Sequence, residues 1–269
     1  MPLAVCATPI GNLEDVTLRV LRELSEADLV LCEDTRRTRV LLQRHGISAR
    51  LTSYHEHNEA ERTAQVLPRL RAGTRVALVS DAGLPGVNDP GARLIAAALE
   101  AGVPVTVLPG ASAVETALVA SGFAAERYEF FGYLPRSTAG LAAVWEELRR
   151  RPWPAVAFES PRRLPATLSS LAQALPERRV AVCRELTKQF EEVVRGTARD
   201  VAARFRAPPR GEITVVVSAA APEAVAPDET QGAEAVGELV AAGVPRRQAA
   251  DLVARLTGAS RNALYRRSL

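Results

Sequence analysis

At 269 residues, with 47% hydrophobic and 24% charged residues, the chain has the composition of a globular protein large enough for two domains with sizeable cores. No apolar run approaches the roughly 20 residues that span a bilayer, which argues against a membrane protein. Met1 to Pro9 lacks a basic start and an apolar leader segment, so a cytoplasmic location is expected. The net charge of +3 is too small to advertise nucleic acid by itself. Cys6, Cys32 and Cys183 are odd in number, and each lies in an apolar strand-like run; they read as buried reduced thiols. Of the 34 basic residues all but Lys188 are arginine, a compositional bias that makes the one lysine conspicuous.

In chain order, strands are predicted at Leu3 to Ala7, Asp28 to Leu31, Arg50 to Tyr54, Arg75 to Ser80 and Val103 to Leu108, with amphipathic helices between them. That alternation predicts an α/β domain over 1–122, with a mostly parallel sheet covered on both faces. After Gly122 the pattern breaks into FAAERYEFFGYLPRS. It resumes with a helix near 138–151 and strands at Ala155 to Glu159, Val180 to Glu185, Glu192 to Arg195 and Ile213 to Ser218, a second α/β domain over 123–220. An Ala/Pro-rich linker is expected at 221–230, then a small helical module over 231–269. From Val244 onward Arg246, Arg247, Arg255, Arg261, Arg266 and Arg267 face only one acid, Asp251, and such a basic helical face suits phosphates by charge attraction. A solvated appendage or a dimer arm fits the same pattern.

Three loops follow predicted strands. In SDAGLPGVNDPG, Asp89-Pro90 reads as an N-cap with proline in the first helical turn. The first half, Ser80 to Gly86, lies where open parallel sheets bind ligands. It has no lysine and carries Asp81, so it suits a neutral or cationic ligand with hydroxyls and amides better than a phosphate. ATPIGNLED repeats the arrangement after the first strand. LPGASAVE does so after the fifth, with Ser112 and Glu115 in capping-box spacing. The three loops are expected to converge on one sheet edge. Neither a dinucleotide fingerprint nor an NTP-binding P-loop occurs.

TPIGNLEDVTLRVL, CEDTRRTRVLL, SDAGLPGVNDPG, LPGASAVETALVASG, FFGYLP, ESPRRL and RELTKQFEEVVRGT occur in that order. Together they resemble the ribosomal RNA small subunit methyltransferase I family of the tetrapyrrole methylase superfamily. The likeness covers about residues 3–220, and the basic tail resembles that family's C-terminal helical module. It implies two α/β domains with S-adenosylmethionine in the cleft between them, usually in a homodimer. It also implies 2′-O-ribose methylation of a decoding-centre cytidine, position 1402 in the usual numbering, in small-subunit rRNA or the assembled subunit. By motif, the cofactor site draws on Pro9, Ser80, Asp81, Ala82, Gly83, Leu84, Ser112 and Ala113, closed by Phe158 and Thr214 from the second domain.

Methylating a hydroxyl requires alignment and removal of a proton. Lys188 is the first candidate base, because a desolvated lysine titrates toward neutrality and arginine does not. Glu159, ahead of a Ser160-Pro161 helix start, is its rival, as are Glu33, Asp34 and Glu185; ion pairing is the commoner fate of such carboxylates. Arg36, Arg37, Arg162 and Arg163 are candidates for the RNA backbone, with Arg246, Arg247, Arg261 and Arg266 in the tail, and Tyr54 and His55 for a splayed base. His55, Glu56 and His57 do not form a credible metal set, and Asn58 with Glu61 reads as a helix cap. Two other functions fit the residues: a tetrapyrrole C-methyltransferase, whose macrocycle carboxylates would also suit arginines, and a non-enzymatic ribosome-assembly factor.

Overall fold

A computed structural model describes residues 2–220, 229–257 and 259–268. The linker expected at 221–230 falls outside the described residues for 221–228. The chain divides into two compact units, one ending at Ala219 and the other beginning at Ala220.

The first unit opens with β1 (Leu3–Cys6), α1 (Leu18–Glu26), β2 (Leu29–Cys32), α2 (Thr35–Arg44), β3 (Leu51–Ser53), α3 (Glu59–Arg71), β4 (Val76–Leu78), α4 (Ala92–Glu100) and β5 (Val105–Leu108). The five strands form one parallel sheet in the order β3-β2-β4-β1-β5. The continuous apolar runs of β1, β2 and β4 reflect burial of both faces, whereas the edge strands β3 and β5 are only partly buried. Leu3, Val5, Leu29, Leu31, Val76 and Leu78 pack with Val66 and Leu70 of α3 and Leu94 of α4. Ala4, Cys6, Val30, Cys32 and Ala77 point the other way, toward Val20 and Leu24 of α1 and Leu42 of α2. Because β1 feeds a helix on one face and neighbouring β4 feeds a helix on the other, a crevice opens between their carboxyl ends. All three cysteines are buried free thiols, and burial pushes Cys6 to about 12 and Cys183 to about 11.

The unit continues through α5 (Ala113–Ser121), β6 (Glu129–Tyr133), α6 (Thr138–Arg149), β7 (Ala155–Glu159), α7 (Leu164–Ala174), β8 (Arg179–Arg184), β9 (Glu192–Thr197), α8 (Ala198–Arg204) and β10 (Ile213–Val217). The second sheet, β6-β7-β10-β8-β9, is parallel only at β6 and β7; β10 runs antiparallel to both its neighbours, and β8 and β9 form a hairpin. Helices α6, α7 and α8 cover one face around Trp145, Leu168 and Val201. The other face receives α5, whose Val114, Ala117 and Leu118 meet Val156, Ala181, Cys183 and Val216, so the helix that follows the first sheet packs on the second.

Three helices, α9 (Glu229–Ala241), α10 (Arg246–Thr257) and α11 (Arg261–Arg267), build the second unit around Val236, Ala249, Ala250, Val253 and Leu264. Among the described residues, no helix is long and apolar enough to cross a membrane.

Candidate active site

The loops after β1, β4 and β5 converge on the crevice beside β1. An isolated bridge ties the first two: Thr8 and Gly83 exchange backbone hydrogen bonds of 2.8 and 3.0 Å. The Thr8 hydroxyl donates to the Ser80 carbonyl at 3.0 Å, and the Ser80 hydroxyl turns back to the carbonyls of Ala82 and Gly83 at 3.2 and 3.3 Å. Gly83 itself has φ +77, a conformation that favours glycine. Above this seam lies a cavity of about 860 Å³, walled by Ala82, Gly83, Leu84, Ser112 and Ala113 from the first sheet's loops and by Phe158 and Thr214 from the second sheet. A neighbouring cavity of about 300 Å³ lies on the side of Pro9, Gly11 and α2. Pro9 and Ser80 line the smaller cavity and not the larger one, because the Thr8–Gly83 bridge turns them beneath the loop.

Among the charged residues that line the larger cavity, carboxylates predominate. Asp81 accepts from the backbone N–H of Asp34 at 2.9 Å and pairs loosely with Arg37 at 3.5 Å, so this side chain organises the CEDTRR turn as well as facing the cavity. Glu33 and Asp89 share the wall, and burial together with the charge of Asp81 raises the Glu33 pKa. Asp89 is pushed further, to about 7, by burial first and then by Glu33 and Asp81, with Ser80 opposing weakly. The sequence reading of Asp89 as helix cap fails: α4 begins only at Ala92, and Gly91 at φ 136 stands at the cap. Pro90 lies outside the helix, and Asp89 is released toward the cavity. It is a candidate site residue that the sequence assigned to structure, since its Asp-Pro signature pointed to a helix start.

Other local readings also change. Ser112 makes no cap bond to the backbone of α5; its hydroxyl donates to Glu115, which also accepts from the Tyr128 hydroxyl at 2.5 Å. Burial works against charge on Glu115, but these two donors outweigh it and lower its pKa. Asn58 stands at the N-cap of α3 without capping it, its oxygen taken by the His55 N–H at 2.9 Å. Ser160-Pro161 lies in a turn ahead of α7, which starts at Leu164. Phe130 and Tyr133, which the sequence did not single out, meet the expected Phe158 edge-on at 5.0 and 5.6 Å and give the larger cavity an apolar wall.

Neither candidate base is free in the way the sequence suggests. The Glu159 side chain is fully buried and its oxygens are occupied: the Ser160 N–H and the Thr167 hydroxyl donate at 2.6 Å, and Arg163 at 3.2 Å. Arg163 also donates to the carbonyls of Leu134 and Pro135 at 2.7 Å, so it ties β6 to β7 and is not available to RNA. Lys188 lines the smaller cavity, with its ammonium 2.9 Å from both Glu185 and Glu212. Burial works to lower its pKa, but the hydrogen bonds it donates to Glu212 and Glu185 outweigh it and raise the pKa, the opposite of the drift expected of a base.

Among the RNA candidates, Tyr54 is buried in the first core with its hydroxyl 3.0 Å from Thr63, so its ring cannot stack on a base. His55 is half-buried, with Nε2 3.1 Å from the Asn58 amide. Arg36 and Arg162 are exposed, Arg36 pairing with Asp34, whereas Arg37 lines both cavities. Within the second unit Arg247, Arg261 and Arg266 are exposed and Arg246 is half-buried; Arg255 and Arg261 lie 3.7 and 3.9 Å from Asp251.

Two α/β layers thus meet at a cavity whose charged lining is mostly carboxylate. Residues 2–202 match the family model described as Tetrapyrrole (Corrin/Porphyrin) Methylases, and residues 226–269 match the RsmI C-terminal HTH domain. The fold is shared with the methyltransferase CobJ (TM-score 0.61, 21% identity, 81% of this chain and 94% of that one). It is shared also with Thermus thermophilus uroporphyrin-III C-methyl transferase complexed with S-adenyl homocysteine (TM-score 0.56, 19% identity, 80% and 96%). Ribosomal RNA small subunit methyltransferase I of Mesorhizobium japonicum is 45% identical over 99% of this chain and 91% of its own length. The protein of the same name from Micromonospora olivasterospora is 46% identical over 98% and 85%. The chain belongs to the ribosomal RNA small subunit methyltransferase I family, enzymes within the tetrapyrrole methylases.

Proposed function

We propose that this chain methylates the ribose 2′-hydroxyl of the decoding-centre cytidine in small-subunit rRNA, using S-adenosylmethionine, and that it acts as a homodimer. The observation that carries the cofactor assignment is the charge of the larger cavity: Glu33, Asp81, Asp89 and Glu115 line it, and Arg37 is its one basic residue. Such a wall repels phosphate and attracts a sulfonium or ammonium. Its volume of about 860 Å³ and its apolar side at Ile10, Leu84, Phe130 and Phe158 accommodate a nucleoside. When bound there, S-adenosylmethionine supplies an electrophilic methyl group. The protein's own contribution is alignment: Ala82, Gly83 and Ala113 let a ligand approach the backbone, and the acids orient the cationic end. Lys188 acts as a fixed cation rather than a base, and Glu159 holds β7 to α7.

The acceptor reading is supported by the relatives' names and by exposed arginines on α2 and the second unit. The same acidic wall disfavours a carboxylate-bearing macrocycle. Tritium transfer from labelled S-adenosylmethionine to small subunits lacking the modification, followed by nucleoside analysis, tests it. Label in 2′-O-methylcytidine is expected. Label only on an added porphyrinoid, or RNA binding without any transfer, refutes it in favour of a tetrapyrrole enzyme or an assembly factor.

A further inference from the structure

The two cavities share a partition of Ile10, Arg37, Asp81, Ala82 and Glu212 but differ in charge. Glu33, Asp89 and Glu115 face only the larger one; Lys188 faces only the smaller, and Arg37 reaches both. The larger cavity is therefore strongly acidic, whereas in the smaller one Arg37 and Lys188 balance Asp81 and Glu212, so an anion meets far less repulsion there.

We propose that the smaller cavity is the acceptor subsite, in which Arg37 and Lys188 hold the phosphodiester flanking the ribose to be methylated. The inference rests on the proposed rRNA reading. Lys188 spends two of its three N–H donors on Glu185 and Glu212, which leaves one for a ligand, and Glu212 is exposed enough to give way to a stronger anion. Arg37 is 62% exposed, and its single ion pair, to Asp81 at 3.5 Å, leaves most of its five donors uncommitted. At about 300 Å³ the cavity suits a ribose with its phosphate better than a large macrocycle.

The placement of Lys188 is built into the backbone. Glu185 and Thr187 have φ of 52 and 65, costly for side-chain-bearing residues and most so for a β-branched one. Thr187 accepts from the Asn12 N–H at 2.9 Å, and its own N–H donates to Glu191 at 2.6 Å. Gly11 lies so close beneath that a Cβ there would meet the Lys188 Cγ at 2.6 Å. The β8–β9 loop is thus latched onto the β1 loop with its lysine at the cavity wall.

The test is steady-state methyl transfer to small subunits lacking the modification, over a salt series, for wild type, Arg37→Gln, Lys188→Met and Lys188→Arg. Affinity for S-adenosylhomocysteine is measured beside it. Each neutral variant is expected to raise the KM for subunits about tenfold or more. Each should also flatten the slope of log KM against log salt by about 0.7, as loss of one contact to single-stranded phosphate does. Lys188→Arg keeps the wild-type slope, and both Lys188 variants keep cofactor-product affinity. If wild type transfers label but the neutral variants match its KM and slope, the subsite is overturned and the proposed function stands. If Lys188→Arg loses turnover at normal KM, a base role replaces the phosphate grip. Should Lys188→Met lose S-adenosylhomocysteine binding through misfolding, Arg37→Gln, on an exposed helix face, decides alone. No transfer by wild type overturns both readings.

Discussion

If the larger cavity binds the cofactor as proposed, Asp89 is expected to link that binding to a proton. Its carboxyl titrates near 7 because burial, Glu33 and Asp81 all disfavour its ionised form. The folded state therefore holds this proton more tightly than the unfolded chain does. The ligand-free protein loses stability as pH rises from the ordinary aspartate value of 3.8 toward about 7. A cation in the cavity reverses the preference. If S-adenosylmethionine binds only the ionised form, about half a proton is released per ligand at pH 7, and affinity is roughly tenfold weaker at about pH 6 than at about pH 8. Titration calorimetry in buffers of different ionisation enthalpy reads the proton release directly. Asp89→Asn, which mimics the protonated form, should abolish both the release and the pH dependence near neutrality and bind more weakly than wild type does at about pH 6. Proton release that persists in Asp89→Asn, or affinity that is flat between those pH values in wild type, refutes the linkage.

The remaining expectations separate scaffold from site. Glu159→Ala leaves Arg163 and Thr167 without their buried acceptor and should cost on the order of 3 kcal/mol, seen as a lower thermal midpoint. A variant of unchanged stability but lost turnover would return Glu159 to catalysis. Tyr54→Phe should lose about 1 kcal/mol with its bond to Thr63 and leave subunit binding intact, as a denaturant titration paired with a binding assay would show. Gly11→Ala drives a Cβ to 2.8 Å from the Leu186 carbonyl as well as against Lys188, and should lower stability by about 1–3 kcal/mol and slow methyl transfer; a variant equal to wild type in both would mean the loops are not latched. Replacing Arg247 and Arg266 together by alanine should reduce the salt dependence of RNA binding, and an unaltered slope would exclude that face of the second unit from phosphate contact.

The centre of the first sheet was legible because β1, β2 and β4 are apolar runs followed by loops of turn formers, and burial on both faces demands that pattern. Convergence of the loops after β1, β4 and β5 followed from the same alternation. The direction of β10 was not legible, since a strand buried on both faces carries the same residues whether it runs parallel or antiparallel. Caps were misread for a related reason. Asp89, Asn58 and Ser160 are the right residue types for a helix start, but Asp89 faces the larger cavity, the Asn58 oxygen is taken by the His55 N–H, and the Ser160 N–H donates to neighbouring Glu159. Lys188 illustrates the limit most plainly: Glu212, which helps keep it charged, lies 24 residues further along the chain. Tyr54 sits in a polar stretch, yet the pairing of its N–H with the Cys32 carbonyl at 2.8 Å turns its ring into the core.

The docking of α5 across to the second sheet has a consequence for how the polypeptide can be divided. Val114, Ala117 and Leu118 have their buried partners on β7, β8 and β10, so a fragment ending at Gly122 would carry an uncovered apolar helix. The complementary fragment would lack the cover over Val156, Ala181 and Val216. Neither half is expected to fold well by itself, and the two should recover a native state when coexpressed far better than either does alone.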